Sequence, residues 1–169
     1  MRTALWTIGI TITAAFTLAR SNLAAPSPAA SSSARGAIER AYKLQNQAVQ
    51  QKNVNAFMNS LTPDFSTKIP SGQTLSREQV RQSMLAMVAA AASLHGKTTI
   101  QGFALKSGKA YVTTKERDVI VLTNPQTKQT KTLVDDETDA AVWRKVGNDW
   151  KEESVRVISQ KQAVHPGAH

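Results

Sequence analysis

Twelve consecutive residues near the end of the chain constrain its fold more than any others: Ala140-Ala141-Val142-Trp143-Arg144-Lys145-Val146-Gly147-Asn148-Asp149-Trp150-Lys151. They read as a strand, a tight Gly147-Asn148 turn and a second strand, with a Trp on each arm. Gly and Asn tolerate the backbone angles that two-residue hairpin turns demand, so the pattern predicts an antiparallel hairpin. At least one of the rings, Trp143 or Trp150, is expected to be buried against a helix.

The start of the chain carries a different signal. Met1-Arg2 is a short positive segment, Ala4 to Ala19 is uncharged and largely apolar, and small residues follow at Ala24-Ala25 and Ser27-Pro28-Ala29-Ala30. This is the layout of a secretory signal peptide, which we place over residues 1–30. The apolar run is about 16 residues, short of the roughly 20 that span a bilayer, so no stable membrane span is expected after processing. The competing reading is an uncleaved N-terminal anchor, which Arg20 favours. Residues 31–35 read as a linker, 36–160 as one domain, and 161–169 as a flexible polar tail. The location implied is exported, periplasmic or extracellular. With no cysteine in the chain, disulfides are excluded, and packing alone must hold a domain of about 125 residues.

The formal charge is +9; removing Arg2 and Arg20 with the leader leaves about +7. The basic residues are scattered and the longest cluster is Arg144-Lys145, so no nucleic-acid surface is expected.

Between leader and hairpin the apolar period changes once. Ile38, Ala41, Tyr42, Gln45, Ala48 and Val49 form a helical stripe within 36–52. Asn53 caps a short helix over 54–61, broken by Thr62-Pro63-Asp64. Phe65 to Ile69 is extended and turns at Pro70-Ser71-Gly72. Ser76 and Gln79 form a capping box, with Leu75 and Val80 as its hydrophobic staple, for a helix expected to end at Gly96. Strands follow over 98–105, 110–122, 130–146 and 150–158, with Ser107-Gly108 turning the first pair. In the last strand the apolar phase shifts between Trp150 and Val155, which predicts a bulge. Helices first and strands last make an α+β domain, with N-terminal helices packed on a strongly curved antiparallel sheet.

This order, with the Pro70-Ser71-Gly72 turn, the capped helix and the closing Trp143-to-Trp150 hairpin, resembles the nuclear transport factor 2-like superfamily, which includes SnoaL-like cyclases and ketosteroid isomerase-like enzymes. The resemblance covers residues 36–159. It implies a cone in which a bent sheet wraps a helix around a pocket. The superfamily holds enzymes and non-catalytic proteins alike, so the fold does not assign an activity.

The resemblance also implies where chemistry would sit. Isomerase-like members carry a carboxylate base just before the Pro-x-Gly turn; here that residue is Ile69, which cannot accept a proton. Asp64 is close in sequence but lies in a turn, where Asp bonds the local backbone. Tyr42 matches a family oxyanion donor and equally suits a core tyrosine whose hydroxyl finds a partner. His95 is expected at the end of a helix, in a capping role; His165 and His169 fall in the tail and complete no metal spacing. Asp135, Asp136, Glu137 and Asp139, opposite Lys115, Arg117 and Asp118, are expected to form cross-strand ion pairs, the alternative being a cation or substrate site. Strand alternation sends Asp136 to the face opposite Asp135 and Glu137.

These readings combine into an exported, non-catalytic ligand-binding or structural domain with no metal and no cofactor. It would bind a small apolar molecule among Tyr42, Phe57, Phe65, Ile69, Met84, Val88 and Phe103. The alternatives are an isomerase, cyclase or hydrolase of the same fold, and a homodimeric protein-interaction module.

Overall fold

A computed structural model of the chain describes residues 26–124 and 126–166. Most of the expected leader, and His169 with the last of the tail, lie outside these residues. Helix α1 (Pro28–Gln50) begins well before the expected residue 36. The Ser27 side chain accepts from the amide of Ala30, and Pro28 sits where its missing N–H loses no helical bond. The Ala-Ser run behind it then continues the helix, so residues 31–35 are helical rather than a linker, and Ala34 is buried.

Helix α2 (Val54–Asn59) is capped by Asn53, whose side chain accepts from Ala56. Strands β1 (Leu61–Lys68) and β2 (Thr74–Ser76) pair across the expected turn, where Gly72 takes a φ of 87°. Helix α3 (Arg77–Ala90) opens with the expected reciprocal bonds between Ser76 and Gln79. It stops before Gly96, because Ala91 to Lys97 pairs with β4 instead of continuing the helix. Val88 to Ala92 is a run of small apolar residues that suits either period, and strand pairing decides it. Four long strands follow: β3 (Ala91–Lys106), β4 (Lys109–Thr123), β5 (Thr130–Val146) and β6 (Asp149–Pro166).

The sheet runs β2-β1-β6-β5-β4-β3 and is open, with β2 and β3 at its edges. It is mixed rather than wholly antiparallel, since β1 joins β6 in parallel. Within the meander β3–β6, the outer side of β6 is where β1 adds on. The single residue Ser60 between α2 and β1 delivers β1 to β6, where the Ser60 carbonyl accepts from Glu152 at 3.0 Å. The closing hairpin is as expected: Val146 faces Asp149 across Gly147-Asn148, and Gly147 has a φ of 64°. The tail is not frayed through residue 166, because β5 continues to Thr130 and β6 pairs with it as far as Pro166.

β6 departs twice from simple alternation. Its pairing with β5 skips Glu153 and Ile158. The first bulge is the expected phase shift, and it lets Glu152 and Val155 face the same side although they are three residues apart.

Two apolar clusters fill the space between helices and sheet. Ile38 and Tyr42 of α1 pack on Ala110, Val112, Ala141 and Trp143. Val54, Met58, Leu61, Phe65 and Met84 pack where α2, α3 and β1 meet. No described helix is long and apolar enough to cross a membrane.

Candidate functional site

The face of β4 and β5 turned towards α1 changes character along its length. From the hairpin end the cross-strand pairs are Ala110–Trp143, Val112–Ala141, Thr114–Asp139, Glu116–Glu137 and Asp118–Asp135. The first two pairs are core. The next three bring five carboxylates onto the same face, with acid directly opposite acid in two of them. The opposite face carries Lys115 and the exposed Arg117–Asp136 ion pair, at 3.2 Å. Asp136 is thus separated from its acidic neighbours, as alternation required. The expected ion pairing holds for Arg117 and Asp136 but not for Asp118, which faces Asp135.

Between this face and α1 lies a cavity of about 180 Å³. The sheet lines it with Glu116, Glu137, Asp139 and Glu152, beside Val155 and Val157 of β6, while Val49, Phe57, Phe65 and Val80 add apolar surface from α1, α2, β1 and α3, and Tyr42, Gln45 and Asn46 enter from α1. Gly96 makes room beside it. A Cβ there would stand 2.8 Å from Asp118 Oδ1 and 3.3 Å from Asn46 Oδ1, so only glycine lets β3 approach both side chains.

A buried network borders the cavity. Trp143 Nε1 donates to Tyr42 Oη at 3.0 Å, and the two rings meet edge to face at 4.9 Å. Tyr42 Oη donates to Glu152 Oε1 at 3.3 Å. Gln45, nearly one helical turn along, donates through Nε2 to Glu152 Oε2 at 3.2 Å and to Ser60 Oγ at 3.0 Å. Ser60 Oγ donates in turn to the Phe57 carbonyl at 2.6 Å. Burial and the adjacent Glu152 push the Tyr42 hydroxyl far above the ordinary phenol range.

Glu116, Asp118, Glu137, Asp139 and Glu152 move the same way. Burial pushes Glu152 up to about 7, against the bonds from Gln45 and Tyr42. Burial, then Asp139 and Asp135, raise Glu137 to about 7. Burial, then Asp135, raise Asp139 to about 6. Asp118 rises to about 6 for the same two reasons, and Glu116 rises well above the usual range through burial and its acidic neighbours. Gln160 donates to Asp135 and Glu137, and Gln162 to Asp135. Asp139 Oδ1 has no hydrogen-bond partner.

Of the seven residues expected to line the pocket, Tyr42, Phe57 and Phe65 do so. Met84 and Val88 belong to the cluster between α2, α3 and β1, and of α3 it is Val80 that reaches the cavity. Phe103 packs against the Ile38–Trp143 cluster. Ile69 lies in the β1–β2 turn, its backbone bonded to Gln73 and Gly72, off the cavity wall. Asp64 is exposed and pairs with Arg144; the Thr62 side chain, its own backbone and Arg144 hold its carboxyl below the usual range. His95 is exposed on β3 opposite Val119, so no helix end is there for it to cap. His165 pairs with Thr132 at the far end of β6. Among the described residues no three His, Cys, Asp or Glu side chains are placed to hold a metal ion. The residues that sequence reasoning missed are Glu116 and Glu152, together with the inward role of Glu137 and Asp139. The usable signal was a period-two run of polar residues ending in acids on β4, Thr114-x-Glu116-x-Asp118, and a matching Asp135-x-Glu137-x-Asp139 on β5.

Solved structures share this architecture. A conserved protein from Planctomyces limnophilus aligns with a TM-score of 0.64 at 12% identity, covering 80% of this chain and 98% of its own. A protein of the nuclear transport factor 2-like family from Streptomyces avermitilis aligns at 0.60 with 16% identity, covering 75% and 96%. The fold is nuclear transport factor 2-like. A hexachlorocyclohexane dehydrochlorinase from Novosphingobium barchaimii shares the cone at a TM-score of 0.57 and 13% identity, covering 80% and 91%. No protein-family model and no curated protein sequence matches the chain.

Proposed function

We propose that the protein is an exported ligand-binding domain that holds a small molecule in the cone without turning it over. The observation that carries this reading is the cavity itself, with the apolar side chains of Phe57, Phe65, Val80 and Val155 in its lining. Burial against those side chains contributes about 25 cal/mol per Å² of apolar surface. Two further observations support binding over catalysis. The Tyr42 hydroxyl is engaged by Trp143 and Glu152, and neither Ile69 nor Asp64 faces the cavity. The leader-like start supports export, which the intact mass of the secreted chain checks.

A thermal-shift screen of small apolar molecules, with turnover assays on every hit, tests the reading. We expect hits that raise the melting temperature and are recovered unchanged. A screen without hits contradicts it. One observation favours a catalytic alternative: Glu137, Asp139 and Glu152 face one cavity with carboxyls held near neutral pH, where a general acid or base works best. A hit that is converted, with conversion lost in Asp139→Asn, would establish that alternative.

A further inference from the structure

The cavity wall carries four carboxylates and no Lys, Arg or His, in a chain whose net charge is +9. The ion-paired basic residues of β4 and β5 make their pairs elsewhere, Arg117 with Asp136, Lys109 with Glu153 and Arg144 with Asp64, and Lys115 lies on the opposite face of the sheet. Asp139 is the informative member. It is 4% exposed, lines the cavity, and its Oδ1 is unpartnered, while its cross-strand neighbours are Thr114 and Val157. Buried polar atoms almost always have a partner, and an isolated buried carboxylate is the costliest kind to leave bare.

We propose that the cone binds a small organic ammonium ion, its N–H groups on Asp139, Glu137 and Glu116 and its hydrocarbon against Phe57, Phe65 and Val155. This rests on the reading of the cavity as a ligand site and names the class of ligand. A metal ion fits less well. The carboxylates are not gathered closely enough to chelate one, and a hydrated ion makes no use of apolar side chains in the lining. An amine does both, bonding separated carboxylates and burying its carbons. The volume of about 180 Å³ matches about six waters, so the ligand has only a few carbons.

The polar groups facing the site come from every surrounding strand and from α1. They are Tyr42, Gln45 and Asn46 from α1, Thr67 from β1, Thr98 from β3, Thr114, Glu116 and Asp118 from β4, Asp135, Glu137 and Asp139 from β5, and Glu152, Gln160 and Gln162 from β6. None is basic. Asp139 and Glu137, raised to about 6 and about 7, therefore hold protons that a bound ammonium must displace. Binding strengthens as pH rises through that range and releases protons.

Isothermal titration calorimetry of the mature chain tests this with diaminobutane, its neutral counterpart butanediol, and calcium chloride. At about pH 8 we expect diaminobutane to bind, butanediol and calcium not to, and affinity to fall roughly tenfold or more at about pH 5. Asp139→Asn, which removes a buried charge and keeps its shape, should weaken binding by a similar factor without lowering the melting temperature. Arg117→Ala, on the other face, should leave binding unchanged. Butanediol binding as well as the diamine, or full affinity in Asp139→Asn, would overturn the ammonium inference and leave the ligand-binding reading intact. Calcium binding in place of the amine would overturn it as well. If no amine binds while the apolar screen gives hits, the inference alone fails; if both are blank, both readings fail.

Discussion

The two ends of one sheet face make the most instructive comparison in this molecule. Near the hairpin, the side chains of β4 and β5 that face α1 are Ala110, Val112, Ala141 and Trp143, each at most 3% exposed. A few residues further along the same strands, the same geometry presents Thr114, Glu116, Asp118, Asp135, Glu137 and Asp139. Backbone pairing is continuous between the two regions, so the fold itself does not distinguish them. The apolar region contributes stability through burial. The acidic region opposes it, because like charges directly across a strand pair repel and buried carboxylates lose hydration. A sheet that needed only to pack on α1 would continue Ala and Val along this face. That it changes to acids marks the place where the chain departs from what folding alone favours.

The largest expected effect lies at the apolar end. Trp143 is fully buried, and its indole N–H serves the Tyr42 hydroxyl. Trp143→Ala should cost about 3–5 kcal/mol in urea melts. A loss under about 1 kcal/mol would break the comparison, because the region assigned to stability would then carry little of it.

The next effect has the opposite sign. Glu152 is buried and its carboxyl rises from 4.5 to about 7. The folded state therefore holds this proton more tightly than the unfolded chain does. Below about pH 4.5 both states are protonated and Glu152 is no burden. As pH rises to about 7 the unfolded chain ionises first, and stability falls; above that the full penalty applies. Glu152→Gln should accordingly stabilise the protein by up to about 3 kcal/mol at about pH 8 and leave it nearly unchanged at about pH 4. Destabilisation at both pH values would show that the bonds from Tyr42 and Gln45 outweigh the cost of the charge.

The smallest effect sharpens the contrast between faces. Arg117 and Asp136 are 60% and 47% exposed on the outer side. Arg117→Ala should change stability by less than about 1 kcal/mol. A change as large as that at Glu152 would mean that the outer pair compensates the inner acids.

Much of the scaffold was legible in the sequence because its signals are local. Gly147-Asn148, Ser107-Gly108 and Pro70-Ser71-Gly72 fix turns by their backbone freedom, and Asn53 and the Ser76–Gln79 pair fix helix starts by side-chain bonds made within three residues. The α3–β3 boundary was not legible, since Val88 to Ala92 has no period of its own and only pairing with β4 decides it. The site was harder still. Alternation showed that Asp135 and Glu137 share a face, but not that Glu116 would stand opposite Glu137, because that register depends on the loop between Thr123 and Thr130. Glu152 reaches the interior only through the bulge at Glu153. A phase shift in the apolar pattern announced that bulge without revealing which residue it would turn inward.

The measurement that tests the account most directly is a carboxyl-carbon NMR titration of the folded chain, with Glu137→Gln, Asp139→Asn and Glu152→Gln spectra to assign the signals. The account predicts that these three inward carboxyls titrate at about 6 to 7, while Asp64 on the outside titrates below 3.8. If all three inward groups instead titrate near their ordinary values of 4.5 for Glu and 3.8 for Asp, the acidic region is merely solvated surface and its contrast with the apolar end does not exist.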